Sequence, residues 1–128
     1  MLLTFGRDSF VESIKNGTKK HTIREDKTNR WKKGMNIHFW RGNPRNVKSK
    51  PYQFGKGKCI HVAFIEIYPN VNIVKISHDG INYDTFNKID ALDDLANNDG
   101  FMDWEHMKEW FNTDFKGKMI FWGAFSCA

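Results

Sequence analysis

The segment Gly17-Thr18-Lys19-Lys20-His21-Thr22-Ile23-Arg24 places two ammonium groups, an imidazole, two hydroxyls and a guanidinium on one short stretch of chain. Such groups suit two kinds of chemistry. Lysine and arginine hold phosphates or base edges. A threonine hydroxyl is a nucleophile only if a base takes its proton, and a lysine serves as that base only when burial or a neighbouring cation lowers its pKa. Strand periodicity puts Lys20, Thr22 and Arg24 on one face and Lys19, His21 and Ile23 on the other. Lys19 is close enough to the preceding turn to swing toward Thr22 despite its parity, so both lysines remain candidates. His21 either donates a proton near Thr22 or packs toward the core. A solvated edge strand, its lysines opposing edge pairing, fits the same pattern and is the plainer reading of the residue types.

The flanking elements must hold this segment in place. Ser9 to Asn16 carry Phe10, Val11 and Ile14 at helical spacing, with Asp8 or Ser9 as N-cap and Gly17 as the left-handed residue that ends the helix. Strands are expected at Leu2–Phe5, Lys20–Arg24, Met35–Trp40, Lys58–Tyr68, Asn72–Ser77, Ile81–Tyr83 and Met119–Phe125, with His78-Asp79-Gly80 as a hairpin turn. The stretch 41–57, with Pro44, Pro51 and several glycines, reads as a long polar loop of the kind that forms lids. Ile89, Leu92, Leu95 and Ala96 mark a helix that stops near Gly100, its solvated face carrying Asp90, Asp93 and Asp94. A second helix follows, capped by Asp103, in which Trp104, Met107, Trp110 and Phe111 read as core. Short strands with intervening helices, without repeats or internal boundary, give one α+β, barrel-like domain over residues 1–128.

Composition narrows the partner. The chain is 40% hydrophobic and 15% aromatic without a long apolar run, which fits a globular protein and no membrane span. Met1 to Asp8 lack a signal-peptide pattern, so a cytoplasmic protein is expected. Cys59 and Cys127 read as buried small hydrophobes, and His21, His38, His61, His78 and His106 show no ligand spacing, so neither metal nor cofactor is expected. Charge is lopsided: residues 1–60 hold 15 Lys and Arg against 4 Asp and Glu, whereas residues 61–128 hold 5 against 11. A basic face would attract phosphate, although the two halves can also neutralise each other. Trp31, Trp40, Tyr52 and Phe54 lie among cations that include Arg41, and such interleaving suits single-stranded nucleic acid or a flipped base.

The order Gly17-x-Lys19-x-x-Thr22-x-Arg24, then Trp31-Lys32-Lys33-Gly34, then Ala96-Asn97-Asn98-Asp99-Gly100-Phe101 resembles an ASCH domain of the PUA-like superfamily over nearly the whole chain. The resemblance implies a small β-barrel of about five to seven strands flanked by two or three helices. It also implies a cleft beside the Gly-x-Lys motif that holds RNA, a nucleotide or a modified nucleoside. Many members have glutamate where Thr22 stands. A bacterial subgroup, the N4-acetylcytidine amidohydrolases, has threonine there, and its proposed set of lysine, threonine and glutamate implies Lys19, Thr22 and, at or near the glutamate position, Asp99. Lys20, His21, Arg24, Trp31, Trp40 and Arg41 are then candidate ligand contacts. Binding is the first expectation, metal-independent amide hydrolysis the alternative, and a protein-interaction module a third. Oligomeric state is left open.

Overall fold

A computed structural model describes residues 1–128. Leu2–Phe5 (β1) buries Leu3 and Phe5, and Asn36–Arg41 (β3) buries Ile37 and Phe39, the alternation of strands with one face inward. The two run parallel, Leu2 opposite His38 and Phe5 opposite Arg41. Parallel neighbours require a crossover, here made by the helix Asp8–Lys15 (α1) and the strand His21–Arg24 (β2).

The apolar stripe Phe10, Val11 and Ile14 seats α1 against the core. Neither Asp8 nor Ser9 caps it. Arg7 takes the N-cap position without a side-chain bond, and Asp8 lies in the first turn, where its charge suits the positive end of the helix. Gly17 adopts φ of 82°, the left-handed exit that the sequence leads one to expect.

The long strand Tyr52–Tyr68 (β4) organises the remainder. Phe115–Cys127 (β7) runs antiparallel along it from Gly55↔Cys127 to Ile67↔Phe115. On its other edge β4 pairs first with β3 and then, from Phe64 onward, with Ile73–Ser77 (β5), which carries Asp84–Phe86 (β6). β2 extends the free edge of β7, Thr22 opposite Ile120. The result is α+β, a mixed seven-stranded sheet with the helices Ile89–Asn98 (α2) and Trp104–Trp110 (α3) between β6 and β7. No ladder joins β1 to β2, so backbone pairing leaves the sheet unclosed at that seam.

Three further expectations differ from the fold. Residues 41–57 are not one loop, because Tyr52–Gly57 already belongs to β4 and only 42–51 connects it to β3. The glycines there make room rather than break the strand: a Cβ on Gly55 would stand 2.3 Å from the Phe125 ring. The strand expected at Ile81–Tyr83 begins instead at Asp84. The N–H groups of Ile81 and Asn82 are committed to the Asp79 carboxylate, each at 2.8 Å, and are withdrawn from any ladder. Those bonds, Asn82 first and Ile81 next, hold Asp79 well below the usual carboxylate range. Finally, Cys59 is buried as expected but Cys127 is exposed at the end of β7.

Where β2 meets β7 the backbones pack closely. A Cβ added to Gly117 would lie 2.5 Å from the Arg24 carbonyl oxygen and 2.7 Å from the Phe115 ring. A backbone oxygen cannot rotate away, so the strain falls on β2. Gly117→Ala is expected to cost about 3 kcal/mol, the upper part of the range for overpacked sites. Urea denaturation reads this directly, and a midpoint matching wild type would show that β2 yields without penalty.

Candidate active site

The seam between β1 and β2 is a cavity. Thr4 and Phe5 of β1 line one side and Thr22, Ile23 and Arg24 of β2 the other, with Lys19 and Asp99 also facing it. Its volume is about 280 Å³, the low end for ligand sites and too small for more than one base or nucleoside. The Arg24 guanidinium spans the gap, Nη2 donating to the Thr4 carbonyl at 2.7 Å, while Nε donates to Thr22 Oγ1 at 3.4 Å.

Lys19 is buried, and its Nζ donates to the Asp99 carbonyl oxygen and, at 3.3 Å, to Asp99 Oδ1. Its parity is the reverse of strict strand alternation because β2 starts only at His21. Lys19 still belongs to the turn, where its own N–H donates to the Ser13 carbonyl at 2.9 Å. Lys20 therefore points away, exposed and absent from the cavity wall, contrary to the alternation that grouped it with Thr22 and Arg24.

Asp99 is positioned by the end of α2. Its N–H donates to the Leu95 and Ala96 carbonyls, both at 3.1 Å, and Gly100 then turns the chain at φ of 92°. Gly100 is needed for space as well: a Cβ there would stand 3.0 Å from Lys19 Cδ and 3.1 Å from Phe10 Cδ1. His21 Nδ1 lies 3.0 Å from Asp99 Oδ1, and since a carboxylate only accepts, Nδ1 carries the proton. The imidazole is buried edge-on to Phe121 with centroids 5.1 Å apart. His21 thus orients Asp99 from behind the cavity rather than reaching Thr22.

Electrostatics follow from this burial. Desolvation pushes the Lys19 ammonium below its ordinary 10.5; Asp99 opposes the shift and Arg24 adds to it. Desolvation also lowers Arg24, with Asp99 again opposing, yet a guanidinium keeps its proton in proteins. Asp99 is the one carboxylate lining a cavity that holds two cations. Aromatic faces share the load: Lys19 Nζ is 4.9 Å from the Phe10 centroid and the Arg24 guanidinium 5.0 Å from that of Phe5.

Comparison with protein-family models, curated proteins and solved structures found no match.

Other candidate residues lie elsewhere. Trp31 is core, its backbone N–H donating to Asp26 Oδ2 at 2.9 Å. Trp40 sits on β3 opposite Thr4 but does not line the cavity, and its indole N–H has no partner. Arg41 is tied to Asp8 at the start of α1, Nε donating at 2.8 Å. Asp93 departs from the solvated face expected of it, its Oδ1 accepting the Trp104 backbone N–H at 2.9 Å.

The walls that the residue types did not reveal are aromatic: Phe5, Phe10, Phe101, Trp110 and Phe111. Trp104 and Met107 are buried as expected, but Trp110 is 48% exposed, with the Arg7 guanidinium 4.7 Å above its ring. Helical geometry held the clue. Positions 104, 107 and 111 form the inward stripe, and 110 falls beside it. No group of three or more His, Cys, Asp or Glu side chains is placed to hold a metal ion. His61 Nε2 and His78 Nδ1 share a contact of 2.8 Å away from the cavity. No helix is long and apolar enough to cross a membrane.

Proposed function

We propose that the chain is an ASCH-like domain of PUA type that holds one base of a modified nucleoside, nucleotide or RNA in the β1–β2 cavity. The observation that carries this reading is the pairing of aromatic walls with a polar, cationic floor in a space of about 280 Å³. Phe10, Phe101 and Trp110 offer apolar contact to a planar ring, and Lys19, Thr22, Arg24 and Asp99 offer donors and acceptors to its edge. The seven-stranded sheet, with β1 and β2 facing each other across a side-chain bridge, supports a small β-barrel opened at one seam.

A second reading is favoured by one observation: Thr22 shares the cavity with a lysine whose burial favours the neutral amine. In that reading the cavity hydrolyses the acetamide of N4-acetylcytidine. Neutral Lys19 takes the Thr22 proton as Oγ1 bonds to the acetyl carbon, and Arg24 stabilises the oxyanion. Collapse breaks the bond to N4, which receives the proton from Lys19, and cytidine leaves. Water then cleaves the acetyl-threonine ester to acetate, returning Thr22.

Calorimetry with N4-acetylcytidine, followed by mass identification of released cytidine, tests both. Thr22→Val preserves shape and removes the nucleophile; it should abolish turnover while changing affinity by no more than about fivefold, the worth of one neutral hydrogen bond. Binding without turnover by wild type leaves the base-binding reading alone. A folded wild type that binds neither N4-acetylcytidine nor cytidine overturns both.

A further inference from the structure

Behind Lys19 lies a second cavity, of about 380 Å³, where Lys15, Lys20, Trp122 and Phe125 join Lys19 in the lining. Lys19 is the wall common to both spaces. The chemistry differs sharply across it. The β1–β2 cavity contains Asp99, whereas no carboxylate lines the second one. Lys15 and Lys20 are exposed and enter none of the ion pairs that engage Lys19, Lys27, Arg41, Lys108 and Lys118. Their charge is uncommitted.

Beside these cations stand two preorganised rings. Trp122 and Phe125 are each held edge-on to Phe39, with centroids 5.1 Å and 5.2 Å away and interplanar angles of 78° and 82°. Both remain partly exposed. Free cations next to fixed aromatic rings form a surface for backbone phosphates with a base stacked alongside. The C-terminal end of α1, which carries partial negative charge, lies in the same wall; Lys15 and Lys20 flank it and outweigh it.

We infer that the second cavity is a subsite for a single-stranded polynucleotide, Lys15 and Lys20 holding a phosphate next to the nucleotide whose base occupies the β1–β2 cavity, and Trp122 stacking the neighbouring base. This deepens the base-binding reading and rests on it. Lys20 and Thr22 are two positions apart in the chain, so their Cα atoms are no more than about 7 Å apart. One strand of nucleic acid can touch both. A free nucleoside would fill the β1–β2 cavity and leave Lys15, Lys20 and Trp122 without a partner.

The test compares a fluorescein-labelled single strand of about eight nucleotides, carrying one N4-acetylcytidine, with free N4-acetylcytidine. Ribo- and deoxyribo-oligonucleotides are both titrated across a salt series. The strand should bind at least about tenfold more tightly than the nucleoside at low salt. Lys15→Gln/Lys20→Gln should lower the magnitude of the salt slope by about 0.7, the one counterion released where the two lysines hold a phosphate, with Lys15→Gln falling between it and wild type. Affinity of Lys15→Gln for the free nucleoside stays at the wild-type value. Trp122→Leu should weaken strand binding about tenfold; the two lysine variants alter only exposed side chains and keep the test decisive if this one unfolds. Binding of either sugar type with these slopes supports the subsite. A strand bound no more tightly than the nucleoside, or a slope unmoved in the double variant, overturns it. Should the strand bind with the expected slopes while no nucleoside binds, the base-cavity reading falls and takes with it the subsite placed beside that base.

Discussion

Lys19→Met is expected to lower kcat/KM for cytidine release from N4-acetylcytidine by at least about 100-fold, the low end of what a positioned acid or base contributes. Methionine nearly matches the lysine stem, so the contact with Phe10 and the gap beside Gly100 stay filled. Asp99 keeps His21 at 3.0 Å, which leaves the carboxylate a partner and the chain folded. What disappears is the one amine in the cavity. If the cavity only binds, the loss is read as affinity instead: a hydrogen bond from a charged group contributes about 1.5–3 kcal/mol, so Kd rises about 10- to 150-fold. Circular dichroism and a thermal melt establish folding, and calorimetry with mass detection separates the two effects. Wild-type affinity together with wild-type rate would remove Lys19 from the site.

The pH profile sharpens that result. A lysine base works as the neutral amine, so the wild-type rate should rise with pH along a limb whose midpoint lies below the ordinary 10.5, since burial lowers Lys19. Lys19→Met loses that limb. A rate that tracks a midpoint at or above 10.5 would assign the base elsewhere.

Local signals carried some of this site and could not carry the rest. Gly17 announces the end of α1, and Asp99 is marked by the Gly100 that follows it; in both cases one residue's conformational range fixes the geometry. Strand alternation does not reach Lys20, because the strand starts one residue later than expected, at His21, while Lys19 does swing toward Thr22 despite its parity. The residues lie before β2, where hydrogen bonds to Ser13 and Asn98 set the direction of the chain. The aromatic walls come from β1, α1, the turn after α2 and the end of α3, and no window of sequence contains all four. The second half of the long polar loop expected at 41–57 is strand for a related reason. Gly55 and Gly57 look like breakers in isolation, but the Phe125 ring and the Gly123 carbonyl, about seventy residues away, occupy the space that their side chains would need. Proximity of distant residues decides each of these cases.

Asp99→Asn tests the same pair from the stability side. The substitution is nearly isosteric and removes the only carboxylate from a cavity that holds Lys19 and Arg24. Removing one partner of a buried ion pair costs about 3–5 kcal/mol, which for a chain of this size is roughly a 10–20 °C fall in Tm. Part of the penalty can be avoided if Lys19 gives up its proton, and this sets the pH dependence. Asp99 is what raises the lysine toward its ordinary value, so in Asp99→Asn the folded-state pKa lies further below 10.5 than in wild type. Between the folded pKa and 10.5 the unfolded chain binds more protons, so stability rises with pH across that window. The deficit of Asp99→Asn should therefore be largest near neutrality and shrink toward pH 10. Lys19→Met/Asp99→Asn, with neither charge buried unpaired, should be less destabilised than the two single losses combined. Urea midpoints for the four proteins at two pH values decide it: additive losses with no pH dependence would mean that Lys19 and Asp99 are neighbours without being an energetic pair.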